Sequence, residues 1–212
     1  MSAPTLANFR SAPALLAFAL TAVLGLTTDL VTKAVAFQQL APLGVRYVEE
    51  RGRHEIVLAP DGKLIVVEGI PGWLHFQGMV NEGAVFGIGQ GQRWFFVAIS
   101  ILATGFILRL FAASGDHRFY QFVLGMLLAG VLGNMYDRVN FGFVRDMIFM
   151  LPGRRWPGTG KEIFPWIFNI ADTMLCVGVG MIFLYVLRGS PGSRDARTKK
   201  APATEAVSTA KT

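Results

Sequence analysis

The sequence predicts an α-helical integral membrane protein with four transmembrane helices and a small extracytoplasmic β-rich platform. Of the 212 residues, 52% are hydrophobic and 16% are charged, whereas an average soluble domain has about 25% charged residues. Four apolar runs approach the roughly 20 residues that cross a bilayer as a helix. The segment between the first two runs is long enough to form structure of its own.

The first apolar run extends from about residue 12 to residue 36. It resembles the core of a signal peptide, but no small-residue cleavage site follows it, and the pattern continues through Asp29 and Lys33. We therefore predict a retained span. Asp29 and Lys33 are four residues apart, which is the spacing of an interfacial ion pair on one helix face.

The other three spans are predicted at 94–113, 119–136 and 166–187. Trp94 begins an aromatic belt at the start of the second span, and Arg109 is able to snorkel at its end. Five glycines are predicted to let the third and fourth helices approach their neighbours closely; they are Gly125, Gly130, Gly133, Gly178 and Gly180.

The segments outside the spans differ in character. In the β-rich segment, about 40–90, HEIVL (54–58) and LIVVEG (64–69) flank PDGK, which predicts a β-hairpin. The segment 137–165 contains RRWPGTGK and is predicted to be irregular loop. Residues 1–189 then form one membrane-embedded domain, and the polar residues 190–212 a disordered cytoplasmic tail.

The formal net charge of +6 does not indicate nucleic-acid binding, because no basic face interleaved with aromatic residues occurs. Basic residues at membrane ends explain the charge better. A cluster of them soon after the last span favours a cytoplasmic C-terminus, which with four spans also places the N-terminus in the cytoplasm; the cluster is Arg188, Arg194, Arg197, Lys199 and Lys200.

Polar residues gather at the outer ends of the third and fourth spans. Asn134 and Arg138 are four residues apart and share a helix face, and Asn169 and Asp172 share one at the start of the fourth helix. Asp146 follows the third span. Two carboxylates that meet at such a place share one proton, as the pair of an aspartic protease does. The ionised carboxylate activates water and the protonated one donates to the scissile carbonyl, without a metal or another cofactor.

Other interpretations of these residues stay open on spacing alone. Asp146 fits an ordinary loop carboxylate paired with Arg145 or Arg138, and Asp172 fits a structural hydrogen bond with Asn169. A small transporter with Asp172 as its ion site is one alternative function, although transporters place such acids near the midplane. A membrane adaptor that binds a partner through its outer hairpin is another. The glycines of NEGAVFGIGQGQR (81–93) lack the spacing of a phosphate-binding loop.

Four blocks, taken in order, resemble the lipoprotein signal peptidase family, the type II signal peptidases of bacteria. They are DLVTK (29–33), NEGAVFG (81–87), GNMYDRVNFGFVRD (133–146) and FNIAD (168–172). Each block lies at the place relative to the four spans that the family pattern requires, so the resemblance covers residues 12–187.

The resemblance implies a membrane aspartic endopeptidase that removes the signal peptide of diacylglyceryl-modified prolipoproteins, just before the lipidated cysteine. It implies that Asp146 and Asp172 are catalytic and that Asp29 and Lys33 are structural. The family's residues that bind or orient the substrate and the carboxylates correspond to Asn81, Gly83, Asn134, Arg138 and Asn169. For Arg138 we expect bonds to backbone carbonyls, because a guanidinium paired with either aspartate would oppose the shared proton.

The resemblance also implies the setting of the enzyme. It implies a multi-pass protein of the bacterial inner membrane, with both termini cytoplasmic and the active site near the outer face. Membrane lipids and the cyclic peptide antibiotic globomycin are the implied binding partners, and nothing in the sequence indicates an oligomer, so a monomer is expected. Two residues depart from the pattern: Val85 replaces a small residue, and Glu82 places an acid beside Asn81.

Overall fold

Four long helices span the molecule. The computed structural model describes Phe9, residues 11–83 and residues 89–188; the predicted tail at 190–212 and Val85 lie outside these residues. Within them, four helices are long and apolar enough to cross a membrane, namely α1 (Ala12–Leu40), α2 (Arg93–Ala112), α3 (Arg118–Phe141) and α4 (Ile170–Leu187). A 20-residue helix is about 30 Å long, which matches the hydrocarbon core of a bilayer. The predicted membrane fold is confirmed.

Helix α1 extends further than its sequence pattern predicts. Pro13 lies in the first turn, where its missing N–H leaves no hydrogen bond unmade. A π-helical turn at Leu16–Leu20 follows, and regular helix then continues to Leu40, four residues beyond the predicted end. Asp29 and Lys33 therefore lie well inside the helix.

Helix α3 is the central helix and packs against the other three. A Cβ atom added at Gly125 would overlap the carbonyl oxygen of Phe18 in α1, and one at Gly130 would lie 2.7 Å from the carbonyl oxygen of Ala171 in α4. Glycine at these positions lets the helix backbones approach closely, as predicted. Gly180 faces open space, so the same prediction is wrong for that residue.

The other helices keep apolar side chains on their outer faces. Exposed residues of this kind occur on α1, α2 and α4; they include Leu20, Val23, Leu24, Leu102, Phe106, Phe183 and Leu184. A helix that is apolar on all sides is stable only where its outer face meets lipid. These faces mark the surface that contacts the bilayer.

In the described residues, six short strands form the platform at the end of the bundle where α1 and α3 finish and α2 and α4 begin. The strands are β1 (Val45–Val48), β2 (Arg53–Ile56), β3 (Val66–Ile70), β4 (Leu74–Asn81), β5 (Val144–Met150) and β6 (Ile167–Phe168). Strands β1 and β2 form one antiparallel sheet, and the other four form a second in the order β3-β4-β5-β6.

The predicted pairing of HEIVL with LIVVEG is wrong. Strand β2 pairs with the preceding β1, and β3 pairs with the following β4. Gly52 and Gly72, which both have positive φ, close these two hairpins. The turn at residues 60–63 forms as expected, but it links one hairpin to the next. The sequence could not show which turn closes a hairpin, because the neighbouring turns contain equally suitable glycines.

The segment after α3 also differs from its prediction. α3 continues five residues past Tyr136 to Phe141 and ends at Gly142, whose φ of 90° fits the left-handed residue that follows many helices. The chain then enters β5, an inner strand of the sheet, where an irregular loop was expected. Residues 167–168 form β6, so α4 begins four residues later than predicted.

Candidate active site

Strand β5 delivers Asp146 to the place where the sheet meets the helix bundle. It pairs with β4, and Asp146 lies opposite Met79. The side chains of a strand alternate between its two faces. Arg145 therefore turns towards Asp137 of α3, while Asp146 turns the other way and is only 1% exposed.

Asp172 lies in the first turn of α4. The sequence predicted it deeper in the helix, about two turns from the start, but the later start of α4 moves it to the helix end. Asn169 is the N-cap, and its side-chain oxygen accepts the backbone N–H of Asp172, while the Asp172 carboxylate accepts the backbone N–H of Asn169 at 3.2 Å. This capping box fixes the Asp172 side chain relative to the helix.

Asn169 connects the two aspartates. Its side-chain Nδ2 donates to Asp146 Oδ1 at 2.6 Å, while its backbone N–H donates to Asp172 Oδ2. The sequence predicted Asn169 as an orienting neighbour of Asp172, and the structure places it between both carboxylates. Two acids from separate segments therefore share one neighbour, which is buried completely.

Two further asparagines each donate to one of the carboxylates. Asn134 of α3 donates from Nδ2 to Asp172 Oδ1 at 2.8 Å. Asn81, at the end of β4, donates from Nδ2 to Asp146 Oδ2 at 3.0 Å. All four carboxylate oxygens of the pair thus accept a hydrogen bond from an asparagine.

Each asparagine amide has its orientation set by a group that only donates. Asn134 Oδ1 accepts from the Lys33 ammonium at 3.0 Å, and Asn81 Oδ1 accepts from the Gly83 N–H at 3.0 Å. Asn169 Oδ1 accepts from the Asp172 N–H at 3.0 Å. Because ammonium and backbone N–H groups cannot accept, the amide oxygens face them and the NH₂ groups must face the carboxylates.

The position of Asp146 raises its pKa to about 8. Burial is the main cause, because it disfavours the ionised form, and the neighbouring charge of Asp172 adds to it. The hydrogen bonds from Asn81 and Asn169 act in the opposite direction. A carboxyl group with this pKa keeps a proton at neutral pH, which an acid–base pair requires.

Arg138 binds backbone carbonyls and neither aspartate in the described part of the chain, as we expected. Its Nη2 donates to the carbonyl of Gly83 at 2.7 Å and its Nη1 to that of Asn134 at 3.4 Å. The guanidinium lies 5.0 Å from the ring centre of Phe96. Arg138 therefore holds the segment that follows β4 against α3.

A buried network of charges lies behind the site. Asp29 and Lys33, predicted as an interfacial pair, form a salt bridge of 2.8 Å with both side chains 0% exposed. The predicted ion pair is confirmed, and both side chains are buried inside the protein. Asp29 also accepts the backbone N–H of Ala171 at 2.8 Å, which ties α1 to the first turn of α4.

Asp137 was not singled out from the sequence. It is completely buried and accepts hydrogen bonds from the backbone, Nε and Nη2 of Arg145, and it lies 3.5 Å from Lys33 Nζ. Arg145 therefore pairs with Asp137, which rules out the alternative in which Arg145 pairs with Asp146. The sequence did contain a signal for this pair: Asp137 is an acid at the end of an apolar span, and the basic residue Arg145 follows it along the chain.

In the described residues, no group of three or more His, Cys, Asp and Glu side chains could hold a metal ion.

The sequence matches the family model described as signal peptidase II over residues 21–188. The lipoprotein signal peptidase of Symbiobacterium thermophilum is 35% identical over 122 residues, which cover 57% of this chain and 75% of that protein. The lipoprotein signal peptidase of Latilactobacillus sakei is 38% identical over 119 residues, or 56% of this chain and 72% of that protein.

Two solved structures share the fold. One is a bacterial membrane enzyme determined by the in meso method at 2.3 Å, with a TM-score of 0.60 and 29% identity over 82% of this chain and 88% of that chain. The other, a bacterial membrane enzyme determined at 1.9 Å, has a TM-score of 0.57 and 28% identity over 81% and 92% of the two chains.

Proposed function

The chain belongs to the signal peptidase II family and removes signal peptides from prolipoproteins, and we propose that Asp146 and Asp172 are its catalytic pair. The observation that carries this proposal is the set of asparagine hydrogen bonds around both carboxylates. These bonds hold two acids from different segments at one site. A site at one end of the helices fits a peptidase better than a transporter, whose ion site lies near the midplane.

In the proposed mechanism the pair carries one proton. The ionised carboxylate takes a proton from a water molecule, which attacks the scissile carbonyl carbon. The protonated carboxyl group donates its proton to the carbonyl oxygen, where negative charge develops. After the tetrahedral intermediate forms, the leaving amine takes up the proton on the pair. As the carbon–nitrogen bond breaks, a hydroxyl group of the intermediate returns its proton to the ionised carboxylate, so the two aspartates again share one proton.

The other residues near the pair act by positioning in this proposal. Asn81, Asn134 and Asn169 orient the carboxylates through their NH₂ groups. Gly83 and Arg138 hold the segment next to Asn81 against α3, since the Gly83 carbonyl accepts from Arg138. Asp29 and Lys33 are structural, because their buried salt bridge joins α1 to the start of α4 and to Asn134.

We propose a diacylglyceryl-modified prolipoprotein as the substrate, cleaved just before the lipidated cysteine. The site lies where the apolar helix faces end and the platform begins. A lipid-modified peptide suits this position because its acyl chains remain in the bilayer while the peptide reaches the aspartates. Membrane lipids would surround the same apolar faces, and a globomycin-type cyclic peptide would compete with the substrate at the pair.

The proposed setting is the bacterial inner membrane, with both termini in the cytoplasm and the active site near the outer face. Basic residues following α4 support this orientation, because Lys and Arg concentrate on the cytoplasmic side of membrane proteins. The proposed site is assembled from residues of one chain, which is consistent with an active monomer.

Cleavage of a lipid-modified prolipoprotein by the purified protein tests the catalytic pair. We expect Asp146→Asn and Asp172→Asn each to lower the cleavage rate at least about 10³-fold, because either change removes a carboxylate from the proton exchange. Asp61→Asn, in an exposed turn of the platform, is the matched control and should cleave normally. Thermal unfolding checks that each variant is folded, and full activity in either of the first two variants contradicts the proposal.

A further inference from the structure

A histidine and a glutamate join the β1–β2 hairpin to the segment that carries Asn81. Glu82 Oε1 accepts the backbone N–H of His54 at 2.8 Å and also contacts His54 Nδ1. The Glu82 residue is only 7% exposed, although carboxylates are almost never buried without a partner. Among the salt bridges of the described residues, its partner is His54 alone.

Glu82 lies between two residues that already have partners at the site. Asn81 donates to Asp146, and the Gly83 carbonyl accepts from Arg138. Three consecutive residues therefore make one connection each: to β5, to the β1–β2 hairpin and to α3. The hydrogen bond between the Gly83 N–H and Asn81 Oδ1 spans Glu82, so the backbone at Glu82 determines how the Asn81 amide is oriented.

The histidine side of this contact is held by packing. The His54 ring lies between the rings of Tyr47, with centroids 5.0 Å apart, and Phe143, with centroids 5.1 Å apart. Tyr47 belongs to the same hairpin, while Phe143 precedes β5. The ring thus has a defined position relative to the strand that carries Asp146.

We propose that the His54–Glu82 contact positions Asn81, so that its NH₂ group is held towards Asp146. Both residues are positioning residues, since neither touches a carboxylate of the pair. The inference rests on the proposed role of Asn81 and Asp146. It assigns a role in the active site to the hairpin, which in sequence precedes Asn81 by more than 20 residues.

If the His54–Glu82 contact orients Asn81, it also affects the pKa of Asp146, which a purely structural contact would not do. The hydrogen bond from Asn81 lowers the pKa of Asp146, against the effect of burial. If Asn81 turns away, that pKa rises and the pair keeps its shared proton to higher pH. The other charged groups that face Asp146 are Asp172 of α4, Lys33 of α1 and Arg138 of α3; none of these three side chains is a partner of the Glu82 side chain in the described contacts.

The test is the pH dependence of kcat/KM for prolipoprotein cleavage by the full-length protein. On the alkaline side of the profile kcat/KM falls as the pair loses its proton, and we call this part the alkaline limb. Glu82→Leu and Asn81→Ala should both shift the alkaline limb to higher pH, by about half a pH unit or more. Glu82→Gln keeps an oxygen that accepts the His54 N–H and should restore the limb to within about 0.2 pH unit of wild type. His54→Phe retains the ring packing and should shift the alkaline limb in the same direction as Glu82→Leu. This second variant tests the contact even if Glu82→Leu does not fold.

Glu68→Leu is the matched control. Glu68 and His75 form a second His–Glu pair in the platform, at 3.5 Å across β3 and β4, with the Glu68 side chain 57% exposed. This variant should leave the profile unchanged. The inference is overturned if Asn81→Ala moves the limb while Glu82→Leu and His54→Phe lower activity equally at every pH. If Asn81→Ala does not move the limb either, the role of Asn81 fails together with the inference, while the catalytic aspartates are judged separately by their own variants.

Discussion

Three neutral amides surround the two aspartates, and no cation contacts either carboxylate in the described part of the chain. Amide NH₂ groups stabilise a negative charge by hydrogen bonding but add no positive charge. A guanidinium or ammonium in the same place would favour the ionised carboxylates and oppose a proton shared between them. Lys33 and Arg138 each contact Asn134, which separates their charges from Asp172 by one side chain.

This arrangement predicts a pH limit for activity. Below about pH 8 Asp146 keeps its proton, and above that pH the pair loses the proton that the proposed mechanism donates to the scissile carbonyl. Above about pH 8, we expect kcat/KM to fall by about tenfold for each further pH unit. A pH series with one prolipoprotein, together with thermal unfolding at each pH, measures it. A profile that stays flat to pH 10 in folded protein would contradict the assignment.

Most residues of the proposed site could be identified from the sequence, but their contacts with one another could not. Asp172 stood out because an acid within an apolar span needs a partner, whereas Asp146 was assigned through the resemblance to the family. The partners themselves, such as Asn81 for Asp146, come from segments up to 65 residues apart, and spacing along the chain carries no information on such distances. Asp137 was not predicted as a site residue because the predicted third helix ended at Tyr136 and β5 was not predicted. With α3 extending to Phe141 and β5 following it, Arg145 faces Asp137.

Among the elements, the start of α4 has the greatest effect on the site. Residues 166–168 are apolar and lie directly before the helix and its N-cap, so a hydropathy pattern includes them in the span. In the structure Ile167 and Phe168 pair with β5, and the helix begins only after Asn169. Strand pairing with a distant segment decides this boundary, and such pairing is not visible in a local pattern.

Two substitutions separate the two roles of Asn169. Asn169→Ser keeps an N-cap oxygen for the Asp172 N–H but removes the NH₂ group that donates to Asp146. We expect stability near that of wild type, because serine and asparagine cap helices about equally well. We also expect a loss of cleavage of about tenfold or more, because one charge-assisted hydrogen bond at the pair is lost.

Asn169→Ala removes both roles and should also lower the free energy of unfolding by about 1 kcal/mol, the usual cost of a lost N-cap. Thermal unfolding and the cleavage rate are measured for both variants. If serine restores full cleavage, the amide does not act on Asp146 and Asn169 serves the helix alone.

At the scale of the whole molecule, the β-rich platform lies at one end of the bundle and the loop between α2 and α3 at the other. The platform follows α1 and precedes α2 in the sequence, and its remaining strands join α3 to α4. The proposed orientation therefore places every residue of the active site at the outer end, and the turn around Asp116 in the cytoplasm.

Cysteine labelling in whole cells tests this orientation. In a Cys176→Ala background, Lys63→Cys lies in the exposed turn of the platform and Asp116→Cys in the exposed loop at the opposite end. A membrane-impermeant maleimide that reaches the periplasm should label the first variant directly and the second only after the inner membrane is permeabilised. The reverse pattern would place the active site on the cytoplasmic side.

If Asp146 and Asp172 are the catalytic pair, the first turn of α4 also determines when during synthesis the active site is complete. Asp146 is made before the last helix, but Asp172, Asn169 and the backbone N–H that Asp29 binds all belong to the start of that helix. A nascent chain with only three inserted helices therefore has one aspartate and no bridging amide. In the proposed assignment, hydrolytic activity therefore arises only when the fourth helix packs against α1 and α3.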